Sequence, residues 1–271
     1  MTIPETLTQN QPDRSAAADY RGKRVVISGG SSGIGLGIAQ HLAALGAQVA
    51  ILGRTQDKLD AATASIIAAG GHAAGFSVDV RDAAKVAETL AACREQHGEI
   101  DALIAAAAGN FFVPAAKMSA NAFKTVIDID LVGTFNVFSA ALPLLRKPGA
   151  SLIAITAPQA QRAMPLQAHA CAAKAGIDML VKCLALEWGA LGVRVNAVSP
   201  GPIADTEGLS KLSASPEIET FVREATALKR FGKAEDIAQA VAFLCSAQAG
   251  YVTGSILDCD GGMRLGNFHS P

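Results

Sequence analysis

The sequence predicts an α/β fold, a single doubly wound parallel sheet with helices on both faces. Three observations predict it. A β-branched run, Arg24-Val25-Val26-Ile27, leads into Ser28-Gly29-Gly30-Ser31-Ser32-Gly33-Ile34-Gly35, and this stretch opens a segment with Ile34, Ile38, Leu42 and Leu45 at helical spacing. Short apolar runs then alternate with helical patterns along the chain, with no internal repeat. The 271 residues, half of them hydrophobic, are enough for one large domain with an ample core.

Residues 1–20 lack periodicity and read as a loose arm before a domain spanning 21–271. Glu5, Asp13 and the missing apolar stretch exclude a secretory signal there. The first helix closes at Gly46, and Gln48 to Leu52 is the second strand. Asp57 to Ala69 is a helix capped by Gly70-Gly71, followed by a third strand from His72 to Val78. Asp82 to His97 is helical, and Ala102 to Ala107 is the fourth strand. A long helix starts near Asn121 and runs through Asp130. Ser151 to Thr156 is the fifth strand, and a helix containing Lys174 continues to Trp188. Arg194 to Ser199 is the sixth strand, Ala234 to Cys245 a helix, and Gly254 to Asp258 a last strand. The stretch from Asp205 to Thr226 is mixed and polar.

A net charge of −1 gives no reason to expect nucleic acid or a membrane surface as a partner. No apolar run reaches membrane-spanning length. Cys93, Cys171, Cys183, Cys245 and Cys259 are scattered, which suggests neither a metal site nor a disulfide framework but buried free thiols.

The glycines between the first strand and helix suit a phosphate-binding turn. Gly29 allows a tight turn, Gly33 lets a pyrophosphate approach the backbone, and Gly35 lets the helix sit close on the sheet. The helix N-terminus adds unpaired N–H groups and partial positive charge. Past the second strand, where an acid would bond the ribose 2′-OH of NAD, stands Arg54. Its guanidinium fork suits a 2′-phosphate, so the expected cofactor is NADP(H).

With three residues between its first two key glycines, the turn resembles the TGxxxGIG signature of the short-chain dehydrogenase/reductase family, with Ser28 for Thr. The resemblance runs from Gly22 to Gly262 and implies a Rossmann-like fold. It implies that Gly29, Ser31, Ser32, Gly33, Ile34 and Gly35 hold the cofactor phosphates, and that Asp79 and Val80 hold the adenine. Lys174 would hold the nicotinamide ribose, and Pro200, Gly201, Ile203 and Thr206 complete the cofactor site. The region 205–226 falls where the family has a substrate lid.

The family's carbonyl reductases use Ser, Tyr and Lys, the last two spaced YxxxK. Here Lys174 is present, but Ala170 and Ala157 stand at the Tyr and Ser positions, and the helix asparagine aligns with Asp130. Neither Tyr20 nor Tyr251 is placed to substitute. Carbonyl reduction needs a proton on the developing alkoxide, and an alanine has none to give. A conjugated dienoyl thioester poses a different problem, because its proton goes to carbon and water can bring it. The peroxisomal type of 2,4-dienoyl-CoA reductase likewise lacks the Tyr and Ser. The chain resembles it in Asn110-Phe111, in Asn121 to Val137, in Arg162 and Leu166-Gln167, and in Pro200-Gly201-Pro202-Ile203 with Thr206-Glu207-Gly208. It departs at Ala105 to Gly109, where both asparagines of the fourth-strand motif are missing.

The resemblance implies NADPH-dependent reduction of 2,4-dienoyl-CoA to 3-enoyl-CoA, with hydride to C5 and a water-borne proton. Asp130 and Lys174 are the catalytic candidates. Asp260 either reaches the same water or serves its turn, and His169 either packs or lines the substrate. Arg81, Asn110, Phe111 and Phe112 would line the acyl-CoA entrance, with Arg81 on a CoA phosphate or simply on the surface. A homotetramer or homodimer is expected, and the ending His269-Ser270-Pro271, without SKL, suggests the cytoplasm. The rival expectations are another enoyl-thioester reductase and a degenerate NADP-binding scaffold.

Overall fold

Both sides of the sheet are apolar, so its strands show near-continuous hydrophobic runs rather than an in-out alternation. A computed structural model describes residues 19–206, 208–209 and 215–266. Seven strands, β1 (Arg24–Ser28), β2 (Gln48–Gly53), β3 (His72–Ser77), β4 (Ala102–Ala105), β5 (Ser151–Ile155), β6 (Arg194–Pro200) and β7 (Ile256–Cys259), form one sheet. Their order is β3-β2-β1-β4-β5-β6-β7, and every neighbouring pair is parallel. The winding direction reverses between β1 and β4, where Ser28 pairs with Ala105, and such a reversal leaves a crevice at the carboxyl ends of the strands.

Helices α1 (Gly33–Ala44), α2 (Gln56–Ala68) and α8 (Ala234–Cys245) cover one face. Helices α3 (Ala83–His97), α5 (Gly133–Ala141) and α6 (Ala168–Trp188) cover the other. Alternate strand residues feed the two layers: Val25, Ile27, Ile104 and Ile153 face the first, and Val26, Leu103 and Leu152 the second. The second layer centres on Phe138, fully buried on α5. Truncating such a side chain costs about 3–5 kcal/mol.

Helix α4 (Ala120–Ile127) continues through a π-turn (Asp128–Val132) into α5. By length and composition the whole helix, Ala120–Leu144, could cross a membrane, contrary to the expectation from the linear sequence. Here it serves as a core helix instead, laying Val137, Phe138 and Ala141 on the sheet.

The arm expected over residues 1–20 lies outside the described residues up to residue 18, and its last member belongs to the domain. Tyr20 is buried, and its hydroxyl donates to the Ala242 carbonyl at 2.6 Å. One aromatic ring with a hydrogen-bond partner suffices to anchor it, and a polar flank masks that signal in the sequence. Helix α7 (Pro216–Glu224) stands inside the stretch read as mixed and polar. Its start signals were present, with Ser215 as N-cap, Pro216 at the first position and Glu217 in the first turn. Glu207 of the shared motif, part of the expected lid and the final His269-Ser270-Pro271 lie outside the described residues. All five cysteines are free; burial pushes the Cys93 and Cys245 thiols to about 12, whereas Cys183 is exposed on the outer face of α6.

Candidate active site

The phosphate turn is defined by close approach. Gly29 has φ +72°, and a Cβ there would lie 2.6 Å from the Ala107 nitrogen. A Cβ on Gly35 would lie 2.2 Å from the Gly29 carbonyl oxygen, so α1 can pack this tightly only with glycine. Ser32 caps α1 in extended conformation without a side-chain hydrogen bond, and no acid occupies the first turn. The orphan N–H groups and the helix dipole therefore face the crevice uncompensated, as a bound diphosphate requires. Ile34 is half-buried in the layer beneath. Thr206 closes the turn from the far side: its methyl lies 3.8 Å from the place of a Gly33 Cβ, and its hydroxyl donates to the Ile203 carbonyl at 2.7 Å. The Pro200–Ile203 segment is buried beneath it apart from Gly201, which packs too tightly on Asp260 to carry a Cβ.

At the adenosine end, Arg54 is exposed just past β2, and the Ser31 hydroxyl lies 3.2 Å from the place of a Gly53 Cβ. Asp79 follows β3 and receives the fork of Arg81 at 2.6–3.1 Å. These hydrogen bonds, with attraction from Arg54, hold the Asp79 carboxyl below its usual range. A CoA phosphate would thus meet an Arg81 guanidinium already paired. Val80 is buried, its carbonyl held by the Asn136 amide at 2.8 Å.

The reaction end is built around Asp130, which the π-turn displays toward β4, a common use of such turns. Asp130 is 1% exposed. One carboxylate oxygen accepts the Gly109 N–H at 2.8 Å, and the other meets the Lys174 ammonium at 3.1 Å. Lys174 Nζ also donates to the Ile155 carbonyl at 3.1 Å. The structure thus joins the two catalytic candidates in one buried ion pair at the carboxyl ends of β4 and β5. Ala170 lies on the helix face of Lys174, packed with Val126 and Phe111. Phe111 rests on the His169 ring at 4.3 Å between centroids, and the Asn110 amide donates to Gln167 Oε1 at 2.7 Å. Phe112 is exposed.

Burial pushes the His169 pKa down, against the charge of Asp130 and a weak hydrogen-bonding pull from the Phe111 backbone, which favours the neutral imidazole. Asp260 serves its own turn, its carboxylate accepting the Gly262 and Arg264 N–H groups at 2.8 and 2.7 Å. Two supporting groups escaped the sequence reading. Asp178, one helical turn beyond Lys174, accepts the Thr156 hydroxyl at 2.6 Å, and burial raises its pKa. Gln167 draws Asn110 and Gln159 together. The i,i+4 spacing from Lys174 was the available signal for Asp178. Tyr20 contacts α8 and Tyr251 is fully exposed, so neither supplies a phenol to the Asp130–Lys174 pair.

A nucleotide turn with a lysine-bearing helix over a seven-stranded parallel sheet defines a class of dehydrogenase, and the comparisons with known proteins agree. The family model described as "Enoyl-(Acyl carrier protein) reductase" matches residues 29–264. The chain belongs to the short-chain dehydrogenase/reductase family; it is an oxidoreductase of the kind that uses a nicotinamide cofactor. It is 41% identical over 255 residues to "Peroxisomal 2,4-dienoyl-CoA reductase [(3E)-enoyl-CoA-producing]" of Arabidopsis thaliana, covering 90% of this chain and 85% of that protein. It is 38% identical to "Probable 2,4-dienoyl-CoA reductase [(2E)-enoyl-CoA-producing]" of Bacillus subtilis, covering 90% and 97%. Among solved structures, a short chain dehydrogenase from Bacillus anthracis superposes with a TM-score of 0.85 at 36% identity, covering 93% of this chain and all of that one.

Proposed function

We propose that this enzyme reduces 2,4-dienoyl-CoA to 3-enoyl-CoA with NADPH, in the oxidation of unsaturated acyl chains. One observation carries the reading: the cofactor turn and Lys174 are intact, Asp130 is locked to that lysine, and alanines stand where a carbonyl reductase keeps its hydroxyls. The names of the plant and Bacillus relatives support the substrate class. A reduced nicotinamide dinucleotide, with its phosphates at the turn and its nicotinamide ribose on Lys174, would supply a hydride to C5. Negative charge then spreads to the thioester oxygen as a dienolate, in the field of the Lys174 ammonium. Asp130, ion-paired and acceptor-only, retains lone pairs to orient a water that protonates C2.

The second reading is a reductase of another enoyl thioester, favoured by the description of the matching family model. A non-catalytic scaffold would have no use for an ion pair whose burial carries a desolvation cost. Following NADPH oxidation with 2,4-dienoyl-, 2-enoyl- and 3-oxoacyl-CoA separates the readings. Turnover confined to the dienoyl substrate is expected, and turnover confined to the 2-enoyl substrate sinks the proposal. The plant relative is named peroxisomal and the Bacillus one is not; we assign the cytoplasm.

Arg54 sets the cofactor preference in this reading. Losing a phosphate–guanidinium pair weakens binding by roughly one to two decades. Arg54→Ala is expected to narrow the NADPH-over-NADH ratio of dissociation constants by that factor. Equal wild-type constants for the two cofactors would refute it.

A homotetramer or homodimer is part of the same reading. Val132 and Phe135 on the Ala120–Leu144 helix, with Met179 and Leu186 on α6, leave apolar side chains on the outer surface, Leu186 87% exposed. Light scattering at micromolar concentration should give a multiple of the 27.7 kDa chain mass, and a monomer mass would contradict this.

A further inference from the structure

We propose that His169 binds the thioester oxygen of the substrate, donating one imidazole N–H to it while negative charge develops there, and that Phe111 covers the imidazole until the acyl chain enters. The inference rests on the dienoyl-CoA reading above. His169 is 0% exposed, and among the described residues neither ring nitrogen makes a hydrogen bond of good geometry; the ring feels only the weak pull of the Phe111 backbone. A neutral imidazole carries one donor and one acceptor, and burying both unpaired costs stability that evolution seldom leaves unspent. Here the penalty falls beside Asp130, whose charge acts on the ring, and one residue from Ala170, where a carbonyl reductase presents its phenol.

Several other donors among the described residues nearby are engaged. Lys174 is committed to Asp130 and the Ile155 carbonyl, the Gly109 N–H to Asp130, and the Asn110 amide to Gln167. An oxygen gaining charge in this pocket therefore meets in His169 a buried donor without a well-formed bond among the described residues. Burial keeps the imidazole neutral despite Asp130, which suits a hydrogen-bond donor that keeps its proton. Hydride addition at C5 shifts the two π pairs along C4, C3 and C2 to the oxygen, and the His169 N–H···O bond tightens. A proton from water then forms the C2–H bond, the hydroxide left behind takes a proton from solvent, the carbonyl returns, and the remaining double bond lies at C3–C4. His169 ends the cycle with the proton it began with.

The Phe111 ring, tilted 45° on His169, must turn aside for the thioester to reach it. This couples entry of the apolar acyl chain to exposure of the donor.

Two measurements on the same proteins test the assignment. The first is kcat and KM for a 2,4-dienoyl-CoA with NADPH. The second is the ultraviolet band of the dienoyl-CoA bound beside oxidised cofactor, where no turnover occurs and a hydrogen bond to the carbonyl moves the band to the red. His169→Phe is expected to lose roughly 10²–10³ in kcat, as for one oxyanion donor, and to abolish the red shift. His169→Gln, which restores an N–H, should recover part of both, and this holds the test open if the phenylalanine variant folds poorly. Phe111→Ala should keep the red shift and change KM more than kcat. A His169→Phe enzyme with wild-type kcat and an undiminished shift overturns the assignment while leaving the dienoyl-CoA reading intact. A wild type that neither turns over nor binds the dienoyl-CoA overturns that reading and this one with it.

Discussion

Replacing Asp130 by alanine is expected to lower kcat on a 2,4-dienoyl-CoA by roughly 10²–10⁴ and to leave NADPH affinity nearly unchanged. The carboxylate has two committed contacts, the Gly109 N–H and the Lys174 ammonium, and is 1% exposed. Its remaining lone pairs are free to accept from a water, and the neighbouring cluster of Val126, Ala170, Ala173 and Phe111 offers that water no polar side chain. The proposal places the cofactor phosphates at the Gly29–Gly35 turn, which Asp130 does not touch. Asp130→Asn adds a finer comparison, because it matches the family's usual asparagine and can still accept the Gly109 N–H. It should stay folded at a lower melting temperature, because the buried Lys174 ammonium loses its counter-charge, and should lose most of the rate. Full kcat in either variant removes Asp130 from the mechanism.

Lys174→Ala is expected to damage turnover, cofactor affinity and stability together. Lys174 lies on α6 with its ammonium between Asp130 and the Ile155 carbonyl, and the proposal gives it the nicotinamide ribose. Its removal leaves a buried carboxylate with one hydrogen-bond donor, and breaking a buried pair in this way costs about 3–5 kcal/mol. For a domain of this size that lowers the melting temperature by roughly 2–4 °C per kcal/mol. The double variant Asp130→Asn with Lys174→Met should regain much of the loss, because no unpaired charge remains. If the single lysine variant melts with the wild type, the pair is not a buried structural contact in solution.

The sheet was legible because parallel strands carry their own signature: Val25 to Ile27 and Ile104 need no partner to be read as buried on both faces. The phosphate turn was legible because only glycine fits at Gly29 and Gly35, a restriction of backbone geometry that spacing records. Lys174 and Asp130 were legible by register, and the structure adds that they touch. The polar groups packed around them were not. Gln167, Asp178 and Thr156 are ordinary polar residues until the fold brings β5 against α6, and no local pattern announces that meeting. Tyr20 was missed for the opposite reason: its neighbours are those of a loose tail, and a single tertiary hydrogen bond overrides them. Arg81 reads as a cation at the acyl-CoA entrance or on the surface, yet its fork is spent on Asp79 two residues away.

The most direct test of the proposed reaction follows two isotopes in one turnover. The enzyme is given a 2,4-dienoyl-CoA with NADPH deuterated at the transferring position, and separately with unlabelled NADPH in heavy water. The reading predicts cofactor deuterium at C5, solvent deuterium at C2 and a double bond left between C3 and C4. Cofactor deuterium at C3, or a product with its double bond still between C2 and C3, would contradict it.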